Sequence, residues 1–342
     1  MFRMWASLDI KTPLAAIPEH ARRAEAMGFD GVMAPDVMSD GLLVAQAAIS
    51  ATKTIRVATS ALVCFPRSPM TTGVAAWNLQ ALSKGRFHLG LGPLVRGNII
   101  GKYSTVWTAP APRMREYVQS LRALFDCWQN GTPLDYQGEH YKFTRMQDFV
   151  KPPPIDFPDM PIHLAGIGPN MTALAGEVGD ALIAHPTNTS TRFLTEVARK
   201  RIEVGAIRVG RDPSEVAIIA NPMVASGRDE EAVAAKWAEH HEMMAILFST
   251  PSYWPTLDLY GWRDRGEKLH SLVRENRWSE LTPIITREMM EILTPRATYD
   301  GLAGLLRSWY AGVAEGITLT IPEDPADDEA VANVVAELRD GE

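Results

Sequence analysis

Cysteine is nearly absent from this sequence of 342 residues, which contains only Cys64 and Cys127. The two lie far apart and belong to no CxxC motif, which argues against a disulfide framework and favours a reducing compartment. No apolar run reaches the roughly 20 residues that a membrane span needs. Residues 1–9 have the pattern of a short buried strand rather than a signal peptide. We therefore expect a cytoplasmic protein.

Long basic runs are absent as well, and the formal net charge is -7. This composition argues against nucleic acid and membrane surfaces as partners. The chain contains no HExxH motif and no cluster of carboxylates, so no metal site is expected. It also lacks the Gly-x-Ser-x-Gly elbow of a serine hydrolase.

Short apolar runs alternate with helical patterns along the chain. Runs such as 55–58 and 181–184 are apolar throughout, as strands buried on both faces are. Eight strands separated by helices predict a closed (β/α)8 TIM barrel, of the α/β class, formed by residues 1–342 as one domain. An open doubly wound sheet is the alternative, although it usually needs fewer units. The predicted strands lie near 4–8, 31–34, 55–63, 86–91, 161–165, 181–184, 215–221 and 316–321.

Three segments are longer than the connections between strands and helices in a minimal barrel, and they predict insertions after strands 4 and 7. They cover about 93–112, 130–160 and 249–283. Turn signals in the second predict a hairpin. The aromatic residues of the third suit either an active-site lid or packing onto the barrel or a partner subunit. Helices are predicted at 14–27, 69–82, 113–129, 170–178, 190–206, 229–248, 286–294 and 298–311, with a last helix after residue 321.

Five motifs follow one another at fitting positions on these elements. On them the chain resembles the bacterial luciferase-like monooxygenases, and more closely their branch that uses the deazaflavin coenzyme F420. The resemblance covers roughly residues 5–225 and is weaker in the last third of the chain. The motifs are AEAMGFDG at 24–31, FPRSP at 65–69 within a match over 55–69, LSKGRFHLGLG at 82–92, PRMREY at 112–117, and the segment 161–180.

The end of the third strand is the first site that the resemblance implies. Similar proteins carry a non-proline cis peptide at the position of Ser60-Ala61, directly after Thr59, and this bulge supports the flavin ring from behind. Small side chains allow the backbone to approach a flat ring closely. An ordinary buried strand end is the structural alternative.

A second implied site holds the phosphate of the cofactor. Ala165 and the following residues, Gly166-Ile167-Gly168-Pro169-Asn170, join the fifth strand to a helix. A helix N-terminus offers free N–H groups and a positive dipole end to an anion. Without the resemblance, these glycines would indicate only a tight turn.

Polar residues in two neighbouring loops complete the implied binding site. Asn98 falls where similar enzymes place an amide near the ring or the ribityl chain. Arg67 and Arg96 suit the phosphate and the acidic tail of coenzyme F420. Solvated surface charges are the alternative explanation for both arginines.

Asp36 and His185 are the candidates for the proton that accompanies a hydride. Each follows a strand, the second and the sixth, at the face where barrel enzymes work. The resemblance also places Asp36 near the deazaflavin ring, whereas a loop or capping role is its structural alternative. The chain departs from the family pattern at 35–39, so the identity of the proton donor stays open.

The resemblance implies an F420-dependent oxidoreductase that transfers a hydride between reduced deazaflavin and an organic substrate. That substrate is a carbonyl, an imine, an activated alkene or a nitro group, or an alcohol in the reverse direction. One alternative is an FMN-dependent monooxygenase that uses O2 and reduced flavin. Another is a flavin-binding relative without catalysis. The expected partners are a small organic molecule, a second copy of the chain in a homodimer, and a separate enzyme that reduces the cofactor.

Overall fold

A closed parallel barrel dominates the computed structural model, which describes residues 2–340. The barrel closes because β3 pairs in parallel with β2 on one side and with β4 on the other. The eight predicted strand positions and the TIM barrel are confirmed within this range. The strands are Arg3–Ser7 (β1), Gly31–Ala34 (β2), Arg56–Thr59 (β3), Phe87–Gly92 (β4), Ile162–Ala165 (β5), Ala181–Ile183 (β6), Ala217–Ala220 (β7) and Gly316–Thr320 (β8).

Helices surround the barrel and fill its insertions. None of those within residues 2–340 is long and apolar enough to cross a bilayer. The helix over 191–208 is π-helical in its centre, Leu194–Arg199. The helices are Ile17–Ala26 (α1), Gly41–Ala51 (α2), Pro69–Ser83 (α3), Arg96–Gly101 (α4), Pro110–Asn130 (α5), Pro169–Val178 (α6), 191–208 (α7), Glu230–Phe248 (α8), Pro255–Tyr260 (α9), Arg263–Arg274 (α10), Arg287–Leu293 (α11), Tyr299–Tyr310 (α12) and Asp328–Asp340 (α13).

Helix α2 is an element that the sequence analysis did not predict. Val44, Ala45, Ala48 and Ile49 are buried, and almost every residue of the helix is apolar or small. A helix without a charged face lacks the amphipathic period that identifies a surface helix in a sequence.

The insertions lie after β4 and β7, as predicted. The predicted hairpin is present, with Tyr136–Gln137 antiparallel to Lys142–Phe143. Residues 249–283 form part of a larger helical unit, here called the helical cap, which comprises residues 230–293. The cap has a hydrophobic core of its own, separate from the core around the barrel. That core includes Met244, Phe248, Trp254, Leu257, Leu269, Leu272, Ile285 and Met290.

Glu25, from the first family motif, holds the turn that leads into β3. Its Oε1 atom accepts hydrogen bonds from the backbone N–H groups of Lys53, Thr54 and Ile55, at 2.9, 2.6 and 3.1 Å. It also accepts the Thr54 hydroxyl at 2.9 Å. Partial burial raises the pKa of this carboxyl, but the hydrogen bonds from residues 53–55 outweigh burial and lower it to about 2.

We expect Glu25→Gln to lower the free energy of unfolding by about 1–2 kcal/mol at neutral pH, because the charged acceptor is lost. The folded-state pKa lies below the ordinary value of 4.5, so the charged carboxylate stabilises the fold above about pH 4.5. This contribution is lost as the pH falls toward 2. Urea unfolding at several pH values checks the result. A difference between the two proteins that grows on acidification would contradict it.

Candidate active site

The end of β3 is irregular where the resemblance predicts it. The Ser60-Ala61 peptide bond is cis, which confirms the predicted backbone geometry. Thr59 Oγ1 donates to the Gly90 carbonyl at 2.7 Å and accepts the Gly90 N–H at 2.9 Å. The Ser60 N–H donates to the Ala34 carbonyl at 2.8 Å. Contacts from both neighbouring strands therefore fix the bulge, and the chain resumes pairing with β4 only at Leu62–Val63.

Asp36 fixes the same bulge from the side of β2. One carboxylate oxygen accepts the Gly41 N–H at 2.7 Å, and the other accepts the Val63 N–H at 2.8 Å. The Arg67 guanidinium lies 3.6 Å from the first oxygen. The residue is only 9% exposed. Both oxygens thus act as acceptors for backbone groups, and these contacts support a positioning role, while its predicted role in proton transfer stays a prediction.

We expect Asp36→Asn to cost about 2–3 kcal/mol of stability and to weaken cofactor binding, because an amide NH2 would face a buried backbone donor. Asp40→Asn is the matched control. It keeps the oxygen that caps α2 by accepting the Leu42 N–H, and it loses only the partly exposed ion pair with Arg67. Thermal unfolding and cofactor titration measure both effects. Unchanged stability and binding with slow turnover would instead favour Asp36 as the proton donor.

Small residues from three adjacent strands meet at the mouth of the barrel. A Cβ atom built on Gly92 would lie 3.2 Å from the Ala61 Cβ and 3.7 Å from the Ala165 Cβ. Ser60, Ala61 and Ala165 are half-buried, whereas residues 57–59 of β3 and all of β4 are buried. We call Ala61, Gly92 and Ala165 the small-residue floor. None of the three residues that form this floor has a side chain larger than a methyl group.

The predicted phosphate-binding segment continues directly from the floor. Ala165 ends β5, residues 166–168 form the turn, and α6 begins at Pro169. No side chain caps this helix at Gly168. A Cβ atom on Gly168 would meet nothing within 4 Å, so the turn is open to solvent. Uncapped N–H groups at an open helix N-terminus suit a phosphate group.

The predicted polar residues of the neighbouring loops have different environments. Arg67 is half-buried and donates to Asp40 at 2.9 Å, so its charge is already paired. Arg96 and Asn98 lie in the first turn of α4 and are exposed. Neither side chain hydrogen-bonds to another residue of the described range 2–340. Arg96 and Asn98 are therefore available to a ligand, whereas the Arg67 guanidinium lies between the carboxylates of Asp36 and Asp40.

His185 follows β6 and is oriented by groups on two sides. Its Nδ1 atom lies 2.8 Å from the Thr187 Oγ1 and 3.3 Å from the Thr187 N–H. Its ring stacks on Tyr253 of the helical cap, with centroids 4.4 Å apart and planes 27° apart. Burial lowers the pKa of His185 to about 4, so the imidazole is neutral at physiological pH.

The sequence analysis did not identify three residues around His185 as site residues, namely Thr187, Asn188 and Thr256. Asn188 donates to the Thr187 hydroxyl oxygen at 3.1 Å, and the Thr256 hydroxyl donates to the Asn188 side-chain oxygen at 2.6 Å. All three side chains are buried. Thr256 lies 68 residues from Asn188 in the chain, in α9 of the cap. No local pattern indicates such a pairing, and only the folded cap brings Tyr253 and Thr256 to the barrel mouth.

The PRMREY motif holds the insertions in place beside the mouth. Arg113 donates to the carbonyls of Phe65 and Val106 at 3.0 and 2.9 Å, and to the Tyr141 hydroxyl at 2.9 Å. Glu116 accepts N–H groups of the hairpin, including that of His140 at 2.7 Å. This motif therefore builds the rim of the site, although the sequence analysis used it only as a family marker.

The family model for luciferase-like monooxygenases matches residues 1–315 of this chain. The protein belongs to this family. A relative in Mycobacterium tuberculosis, whose function is uncharacterised, is 35% identical over 309 residues, which cover 90% of this chain and 91% of that protein. The 5,10-methylenetetrahydromethanopterin reductase of Archaeoglobus fulgidus is 27% identical over 296 residues, 82% of each chain. These likenesses confirm the family resemblance that the motifs predicted.

Solved structures of the family share the luciferase-like barrel. The structure of the coenzyme F420-dependent tetrahydromethanopterin reductase from Methanopyrus kandleri matches with a TM-score of 0.79 and 19% identity, covering 99% of both chains. At that identity the likeness concerns the fold alone. It extends over the insertions as well as the barrel, so the helical cap is part of the shared architecture.

Proposed function

We propose that this luciferase-like enzyme is an F420-dependent oxidoreductase that transfers a hydride between reduced deazaflavin and a small organic substrate. The observation that carries the proposal is the small-residue floor beside the open N-terminus of α6. A flat tricyclic ring needs a surface without projecting side chains, and its phosphate needs free N–H donors nearby. The choice of F420 is supported by the coenzyme F420-dependent tetrahydromethanopterin reductase of Methanopyrus kandleri, whose fold this chain shares, together with the methylenetetrahydromethanopterin reductase among the relatives.

Each part of the site has a role in this proposal. Ser60 and the small-residue floor support the ring, and Gly166 to Asn170 bind the phosphate. Arg96 and Asn98 contact the polar chain and acidic tail of the cofactor. Asp36, Thr59 and Arg67 hold the bulge in shape, and the helical cap excludes water from the mouth. When bound, reduced deazaflavin supplies a hydride, while the protein supplies position and surroundings.

Titration of the protein with F420 and with FMN tests the cofactor. We expect F420 to bind at least about 10-fold more tightly, a difference of about 1.4 kcal/mol. Quenching of intrinsic tryptophan fluorescence reports binding of either molecule. Tighter binding of FMN would overturn the proposal in favour of an oxygen-using monooxygenase. F420 binding without oxidation of its reduced form by any of a broad substrate panel would favour a binding protein without catalysis.

A further inference from the structure

We propose that His185 keeps its proton on Nε2 and donates it as a hydrogen bond to the oxygen or nitrogen of a carbonyl or imine substrate. The proposal rests on the proposed function and specifies the substrate class of that site. It assigns to this histidine the task of stabilising the heteroatom, and to Thr187, Asn188 and Thr256 the task of orienting the histidine.

The position of the proton follows from the donors around Nδ1. The backbone N–H of Thr187 points at Nδ1, at 3.3 Å, and it can only donate. The Thr187 hydroxyl oxygen accepts a hydrogen bond from the Asn188 amide at 3.1 Å. Its own hydrogen is then free to point at Nδ1, 2.8 Å away. Two donors facing Nδ1 make it an acceptor, so the proton of the neutral ring lies on Nε2.

Two residues of the helical cap fix the orientations of Asn188 and His185. The Thr256 hydroxyl donates to the Asn188 side-chain oxygen at 2.6 Å, which fixes the amide with its NH2 group toward Thr187. Tyr253 stacks on the His185 ring and sets the plane of the imidazole. Among residues 2–340, no group hydrogen-bonds to Nε2. A buried network that ends in one unused donor is suited to a ligand acceptor.

The location of His185 suits a substrate bound between it and the small-residue floor. The residue follows β6, which lies three strands from β3 around the barrel. Addition of a hydride to the carbon of a C=O or C=N bond moves the π electron pair onto oxygen or nitrogen. That atom then takes one proton from water, giving an alcohol or an amine. The Nε2–H group of His185 stabilises the developing negative charge and retains its own proton.

The first experiment locates the proton in the protein without cofactor. The chain is labelled with ¹⁵N, and the His185 ring signals are assigned by their disappearance in His185→Phe. We expect the neutral Nε2–H tautomer at neutral pH, and a mixture of tautomers in Thr187→Val, which loses one of the two donors. Thr195→Val, on an exposed turn of α7, is the matched control and leaves the signals unchanged. An Nδ1–H tautomer or a charged ring in the wild type would overturn the proposal.

The second experiment measures oxidation of reduced F420 by cyclohexanone, 1-pyrroline and nitrobenzene. His185→Phe keeps an aromatic ring beside Tyr253 but has no donor, and we expect it to slow the ketone and imine reactions about 100-fold. His185→Gln, whose amide nitrogen takes the place of Nε2, restores part of the rate. Thr187→Val lowers the rate about 5–10-fold, as the loss of one oriented hydrogen bond does. Affinity for F420 stays within about 2-fold in all variants.

The outcomes of these experiments distinguish the proposed role of His185 from the proposed use of F420. Reduction of nitrobenzene alone, or ketone and imine rates that His185→Phe leaves unchanged, would overturn the role of His185 while leaving the F420 assignment intact. Absence of F420 binding to the wild type would overturn the proposed function, and the tautomer seen by NMR would still decide the geometry around Nδ1.

Discussion

Gly90→Ala is expected to destabilise the protein by about 3–5 kcal/mol, the largest effect of any single methyl group in the site. A Cβ atom at this position would collide with the Thr59 carbonyl oxygen. That oxygen is backbone and cannot rotate away. The N–H and C=O groups of Gly90 are also both bound to Thr59 Oγ1. Relief of the clash must therefore displace β3 from β4 and break these two hydrogen bonds.

Thermal and urea unfolding of purified protein measure the effect of Gly90→Ala. Should the variant fail to accumulate, Thr59→Val tests the same junction without a clash. It removes only the bridging hydroxyl, and we expect it to cost about 1–3 kcal/mol. Gly304→Ala is the matched control, because its added methyl group meets nothing within 4 Å on α12. It should be neutral or stabilise by about 0.5–1 kcal/mol. A stable Gly90→Ala protein that binds cofactor normally would contradict this account of the bulge.

Ala61→Leu is expected to weaken F420 binding at least about 100-fold while the protein remains folded, a loss of about 2.7 kcal/mol. Ala61 is half-buried at the mouth of the barrel, and its Cβ lies beside the position that a Gly92 side chain would take. The substitution replaces the Ala61 methyl group by an isobutyl group, which would extend over the small-residue floor. It would occupy the volume that we assign to the ring.

Titration of Ala61→Leu with F420 measures this loss, and circular dichroism establishes that the variant is folded. Ala15→Leu adds the same group at an exposed position before α1 and serves as the control. If Ala61→Leu bound F420 as tightly as the wild type, the small-residue floor would not be the ring site. The helix N-terminus at Gly168 could then still bind an anion, but the proposed function would lose its main support.

Several motif residues stabilise the fold and have no role in the proposed hydride transfer. Arg86, within the LSKGRF motif, donates to the carbonyls of Ile49, Thr52 and Ile55, at 3.3, 3.2 and 2.6 Å. It thereby satisfies the last carbonyls of α2 and ties them to the start of β3. Glu25 acts similarly on the N–H groups before β3. Sequence comparison identifies such residues as family markers, but their partners lie about 30 residues away and become visible only in the structure.

The roles of the aromatic residues in the third insertion also become visible only in the structure. The sequence analysis left open whether they form a lid or pack onto the barrel. In the structure, Trp254 lies in the core of the helical cap, with its indole N–H bonded to the Phe248 carbonyl at 2.7 Å. The neighbouring Tyr253 instead stacks on His185. Trp254 thus stabilises the cap, whereas Tyr253 contacts a candidate site residue. Their spacing in the sequence does not distinguish these two roles.

The sequence by itself determined the barrel, its eight strand positions and the sites of its insertions. These depend on local alternation of apolar runs, turn residues and helix-ending glycines, which act over a few residues. The tertiary structure alone decided how Thr59 joins Gly90, how both oxygens of Asp36 are used, and which cap residues orient His185. Buried polar groups must find partners wherever packing brings them, and those partners come from distant parts of the chain.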